Sequence, residues 1–140
     1  MTVLLDTNII MDALQERQPF DAAAKEILLR SQNGEIECCF TANAATDIFY
    51  LYSKARDVSS ARSALGFLFS HFGVVSITHD NCINALALPI DDFEDALVVV
   101  CAESSNVDYI VTRDNEFLRR ESTVPLISPD GLLGVLLQRT

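Results

Sequence analysis

The chain has 140 residues, 49% of them hydrophobic, with five glycines and four prolines; this predicts one globular domain over residues 1–140 and excludes a low-complexity linker or disordered tail. A formal net charge of −10 argues against a module that grips nucleic acid through a broad basic surface. It leaves open an enzyme whose acids hold cations, or a chain with a basic protein partner. The longest apolar stretches, 96–102 and 132–137, fall well short of the roughly 20 residues that cross a bilayer. Met1 leads into a strand pattern without a cleavable leader, so the expected location is the cytoplasm, with no membrane attachment.

In chain order, Val3-Leu4-Leu5 predicts a strand that runs into the polar turn Asp6-Thr7-Asn8. Residues 8–16 read as a short helix and 20–32 as a second, with Pro19 near its start and Asn33-Gly34 at its stop. Residues 36–40 are the next strand, followed by Thr41 as a helix cap and helical stretches over 41–56 and 58–72. The β-branched segment 74–77 is a short strand, Thr78 caps a helix through Leu88, and Pro89 ends it. Asp91 or Asp92 caps a helix over 93–105, residues 107–111 form a strand, and Ser128-Pro129 opens a final helix.

Strands alternating with helices, and mostly continuous apolar strand runs, predict a three-layer α/β/α sandwich around a central, mainly parallel sheet. In such a sheet all carboxyl ends share one edge, which carries Asp6 and Asp114 to the same place despite their separation in sequence. Right-handed crossovers bring the first turn of the 93–105 helix there too, with Asp95 in it and Asp92 on the same face. Close carboxylates repel and raise one another's pKa unless a cation lies between them, so the gathering points to a divalent ion. For Asp91, Asp92 and Glu94, capping and solvation at a helix N-terminus is the competing role. Asp47 lies about 9 Å into its helix, among Ala44, Ala45, Ile48 and Leu51; an acid there faces either water or a cation.

Three segments in order, Leu5-Asp6-Thr7-Asn8, Asp95-Ala96-Leu97 and Ile110-Val111-Thr112-Arg113-Asp114, give the chain a resemblance, over essentially its whole length, to PIN-domain proteins. It resembles in particular the VapC-type toxin ribonucleases and their stand-alone relatives. The resemblance implies that Asp6, Asp95 and Asp114 bind Mg²⁺ or Mn²⁺, with Asp47 at the place of a second acid that is usually Glu. Asp is one methylene shorter, so a water bridge to the ion is expected there. Asn8 and Thr112 match the small polar residue and the hydroxyl that accompany the family's acids; helix capping and turn hydrogen bonds are their other role. The implied activity is metal-dependent hydrolysis of RNA phosphodiester bonds, with an antitoxin protein as the possible partner.

Arg113 stands beside the last acid, where it is placed to hold a phosphate, and Arg119 and Arg120 to follow the strand outward; ordinary ion pairs are the alternative for all three. His71 and His79 have no informative neighbour and read as structural. The four cysteines do not form a disulfide framework, because Cys38 and Cys39 are adjacent in a strand and point to opposite faces. With Cys82 and Cys101 they read as small buried hydrophobes rather than zinc ligands. The runs Ile48-Phe49-Tyr50-Leu51-Tyr52 and 65–72 are too apolar for one helix face, and the surplus points to a homodimer surface or a groove for an antitoxin-like peptide. Two other functions compete. One is a catalytically weak or inactive relative that binds a protein. The other, an aspartyl phosphoryl-transfer protein, is disfavoured by Asn8 where a second Asp is needed and by the lack of a lysine on a late strand.

Overall fold

The computed structural model describes residues 1–139 and contains one five-stranded sheet. Its strands are β1 (Thr2–Leu5), β2 (Glu37–Thr41), β3 (Gly73–Val75), β4 (Tyr109–Val111) and β5 (Leu126–Ile127). They lie in the order β3-β2-β1-β4-β5, and every neighbouring pair is parallel. The helices are α1 (Thr7–Leu14), α2 (Asp21–Gln32), α3 (Ala42–Ala55), α4 (Val58–His71), α5 (His79–Ala87), α6 (Phe93–Ser104), α7 (Asn115–Leu118) and α8 (Pro129–Gln138).

The period of two along β1 sends Val3 and Leu5 to one face and Leu4 to the other. The first pair packs with Ile9, Ile27, Ile48, Leu68 and Leu132 of α1, α2, α3, α4 and α8. Leu4 packs with Ala85, Val99 and Phe117 of α5, α6 and α7. This is the expected α/β/α sandwich, its sheet wholly parallel. All three β1 side chains are essentially buried, each worth about 1.5–3 kcal/mol of apolar transfer, so β1 is firmly anchored and fixes the residue that follows it.

Local chemistry sets most element ends. Asp6 caps α1 by accepting from the Thr7 backbone N–H at 2.9 Å, so the helix starts one residue before the expected position. It stops at Leu14, ahead of Glu16, whose φ is +50°. Thr78 and Asn81 form a reciprocal capping box on α5, and Ser128 with Pro129 opens α8 as expected. Thr41 occupies the cap position of α3, but its hydroxyl bonds the Asn43 side chain and not the helix backbone. α7 and β5, four and two residues long, are too short to show a hydrophobic period, and the sequence reading does not contain them.

Cys38 and Cys39 face opposite cores. Burial pushes their thiols up to about 12 and about 11, which makes them inert packing groups. Cys101 is also buried, whereas Cys82 is exposed, a correction to the expectation for it. α5 turns Asn81 and Ala85 inward, which leaves Cys82 outside. No helix among the described residues is long and apolar enough to cross a membrane.

Candidate active site

β1 has β2 on one side and β4 on the other, so the carboxyl ends of β1 and β4 flank the topological switch point, where open α/β sheets leave a crevice. Asp6 follows β1 directly, and its backbone N–H donates to the Val111 carbonyl at the end of β4 (2.9 Å). The fully buried Thr112 hydroxyl donates to Asp6 Oδ2 at 2.8 Å and accepts from the Asp114 backbone N–H at 3.1 Å. One hydroxyl thus ties the first acid to the turn that bears the last. Asn8 Nδ2 lies 3.3 Å from Asp6 Oδ2 and 3.4 Å from Thr112 Oγ1. Asp114 caps α7 through Oδ1, which accepts from the Glu116 N–H.

α6 brings a second group of acids. Asp92 caps it, its Oδ1 accepting from the Asp95 N–H at 3.1 Å, and Glu94 and Asp95 lie in the first turn. Asp6, Asn8, Asp47, Asp92, Glu94, Asp95 and Asp114 all line one cleft of about 450 Å³. Asp92 therefore does both things weighed for it: it caps the helix and faces the crevice. Glu94 was expected only to cap or face solvent; its position two residues past the cap gave no further signal.

The cleft is electrostatically uncomfortable. Burial raises the Asp6 carboxyl above its ordinary range, against hydrogen bonds from Thr112 and Thr7 that lower it, and Asp114 and Asp92 repel it further. Burial followed by repulsion from Asp92, Asp6 and Asp114 pushes Asp95 up to about 7, with Arg120 pulling the other way. Glu94 is raised by burial and by Asp47, Asp6 and Asp92. This is the pattern of carboxylates assembled for a positive ligand.

Two of the three arginines singled out in the sequence are held by acids. Arg113 does not reach into the cleft: its Nε and Nη2 bind Asp12 Oδ2 and Oδ1 at 2.5 and 3.0 Å, and its guanidinium stacks over Phe20, 4.0 Å from the ring centroid. Asp12 is only 1% exposed, and a buried carboxylate without a partner is costly, so it claims the nearest arginine. Arg119 is exposed at the end of α7 and does not line the cleft. Arg120 lies at the cleft's margin, its Nε 4.0 Å from Asp95 Oδ2. Arg17, which carries no motif in the sequence, is the one arginine among the described residues that lines the cleft. Asp12 was legible in principle, as a lone acid inside Ile9-Ile10-Met11-Asp12-Ala13-Leu14.

The donor set fits a hard divalent cation, since carboxylate and amide oxygens dominate and, among the described residues, no Cys or His lines the cleft. Asn8 Oδ1 is buried without a hydrogen-bond partner, an acceptor left free beside Asp6. Among the described residues no group of three or more His, Cys, Asp or Glu side chains is arranged to hold a metal ion.

No curated protein matches the sequence. Among solved structures, a toxin–antitoxin complex from Klebsiella pneumoniae superposes with a TM-score of 0.68 at 21% identity, over 91% of this chain and 97% of that one. The VapBC2 complex of Rickettsia felis, bound to a DNA fragment from its promoter, gives 0.65 at 18%, over 91% and 98%. The sarcin-ricin loop cleaving toxin VapC20 of Mycobacterium tuberculosis gives 0.66 at 12%, over 82% and 92%. These likenesses establish the fold. A family model described as PIN domain matches residues 2–116, and the chain belongs to the PIN-domain family.

Proposed function

We propose that the protein is a metal-dependent endoribonuclease that hydrolyses RNA phosphodiester bonds, acting as the toxin of a toxin–antitoxin pair or as a stand-alone relative. The observation that carries this reading is the convergence of Asp6, Asp47, Asp95 and Asp114, with Asp92 and Glu94, around one cleft at the switch point. Asp6, Asp95 and Asp114 would hold Mg²⁺ or Mn²⁺, with Asp47 contributing through water. The bound ion supplies charge for the scissile phosphate and acidifies water for in-line attack. Thr112 positions Asp6 against Asp114, and Asn8 orients the Asp6 carboxylate while offering Oδ1 to a water. Among the described residues neither Ser, Cys nor His lines the cleft, so the proposed hydrolysis uses water and no covalent intermediate on such a side chain.

The toxin–antitoxin assemblies among the structural neighbours support an antitoxin partner, and the charge of −10 suits a basic segment of it. A homodimer is proposed on the exposed apolar side chains of α4, Val58, Phe67 and Phe69. The test is cleavage of RNA with Mg²⁺ or Mn²⁺ by the wild type and by Asp6→Asn. Metal-dependent cleavage by the wild type, lost in the variant, is expected; no cleavage by either, or equal cleavage by both, would favour a PIN-fold protein-binding module instead.

A further inference from the structure

A second groove of about 510 Å³ adjoins the acid cleft, and Arg17 lines both. The groove continues past Gln15 and Tyr52 to Arg56. Arg17 Nε donates to Gln15 Oε1 at 2.8 Å, and Nη1 lies 3.9 Å from Asp12 Oδ1; these contacts anchor the side chain at the junction. Arg56 is exposed, has Asp57 as its neighbour in the chain, and sits 5.9 Å from the Tyr52 ring centroid. Tyr50, 58% exposed, stands on the wall of the acid cleft. The acid that also lines the groove, Glu16, is paired with Lys25 at 3.4 Å, so its repulsion of an anion is reduced. Arginines that contact phosphates, interleaved with aromatic faces on which unpaired bases stack, form the recurring surface for single-stranded nucleic acid. The other arginines offer less: Arg113 is committed to Asp12 and Arg120 leans toward Asp95.

We infer that single-stranded RNA leaves the acid cleft over Arg17 and runs along the groove to Arg56 and Tyr52, rather than toward Arg119. This rests on the ribonuclease reading above. The test measures binding of a short labelled single-stranded RNA, with Mg²⁺ present, in an Asp6→Asn background that prevents cleavage, as a function of salt. Arg56→Ala should weaken binding about tenfold and lower the log–log salt slope by about 0.7, the loss of one phosphate contact. Arg17→Gln should do the same, and Arg119→Ala should change neither. In the cleaving chain, Arg56→Ala should raise KM with kcat nearly unchanged. Wild-type cleavage combined with wild-type affinity and slope in Arg56→Ala would overturn this inference alone. A wild type that neither binds nor cuts RNA would overturn the ribonuclease reading and this inference together.

Discussion

Asp12 and Arg113 show how a buried charge shapes the site without lining it. Their paired contacts join α1 to the β4–α7 turn that carries Asp114, and the Phe20 ring covers the guanidinium. Arg113→Ala would leave Asp12 buried with Arg17 at 3.9 Å as its nearest cation; the expected cost is about 3 kcal/mol in urea unfolding. Arg113→Lys should recover only part of this, because a single ammonium cannot replace the two-pronged contact. A loss within about 0.5 kcal/mol for Arg113→Ala would show the pair to be incidental. Adjacency to Asp114 suggested a phosphate contact for Arg113, whereas the competing claim of Asp12 emerges only once α1 is folded against the turn. Asp95 carries a separate, pH-dependent signature. Its carboxyl titrates near 7 in the folded chain and near 3.8 in a free one, so between these values the folded state binds more protons. Its contribution to stability in chelator is therefore greatest below about 4 and declines as pH rises toward 7. Thermal unfolding in EDTA should show this decline in the wild type and a flatter profile in Asp95→Asn; parallel profiles would contradict it.

At the scale of elements, the strands that carry the site were the easiest to read. β1 and β4 are continuous apolar runs that break at a polar turn, and burial on both faces of a parallel sheet requires that pattern. The first turn of α6 was legible from its cap and from crossover handedness. What escaped were the two shortest elements: β5 exists because Leu126 and Ile127 pair with β4, and α7 is a single turn capped by Asp114, too short to show a hydrophobic period. The β5–α8 corner is tight. A Cβ on Gly131 would come within 2.8 Å of Ile127 Cγ1 and 3.1 Å of Ser128 Oγ, while one on Gly134 in the same helix meets nothing within 4 Å. Gly134→Ala should therefore raise the melting temperature through a helix-propensity gain of up to about 1 kcal/mol. Gly131→Ala should lower it, since overpacking costs about 1–3 kcal/mol. Equal shifts for the two would show that the corner yields freely.

Across the whole molecule, several apolar side chains stay on the surface while a group of acids gathers at one cleft. Of the surplus apolar residues noted in the sequence, Ile48, Leu68 and Phe72 are buried, and Tyr50 and Leu51 form part of the cleft wall. Phe67 and Phe69 remain on the surface of α4, and they are what a second copy would cover. Sedimentation should give the mass of two 15.4 kDa chains for the wild type and of one for Phe69→Glu; a monomeric wild type would remove the dimer. The acids, in contrast, repel one another across the cleft, a repulsion that a bound cation would relieve. Titration with Mg²⁺ or Mn²⁺, followed by thermal unfolding of the wild type and of Asp6→Asn, tests this most directly. A hundredfold excess over Kd should stabilise the wild type by about 2.7 kcal/mol and leave Asp6→Asn essentially unmoved. A wild type indifferent to both ions, or equal stabilisation of the two proteins, would contradict a cation site at the convergence of these carboxylates.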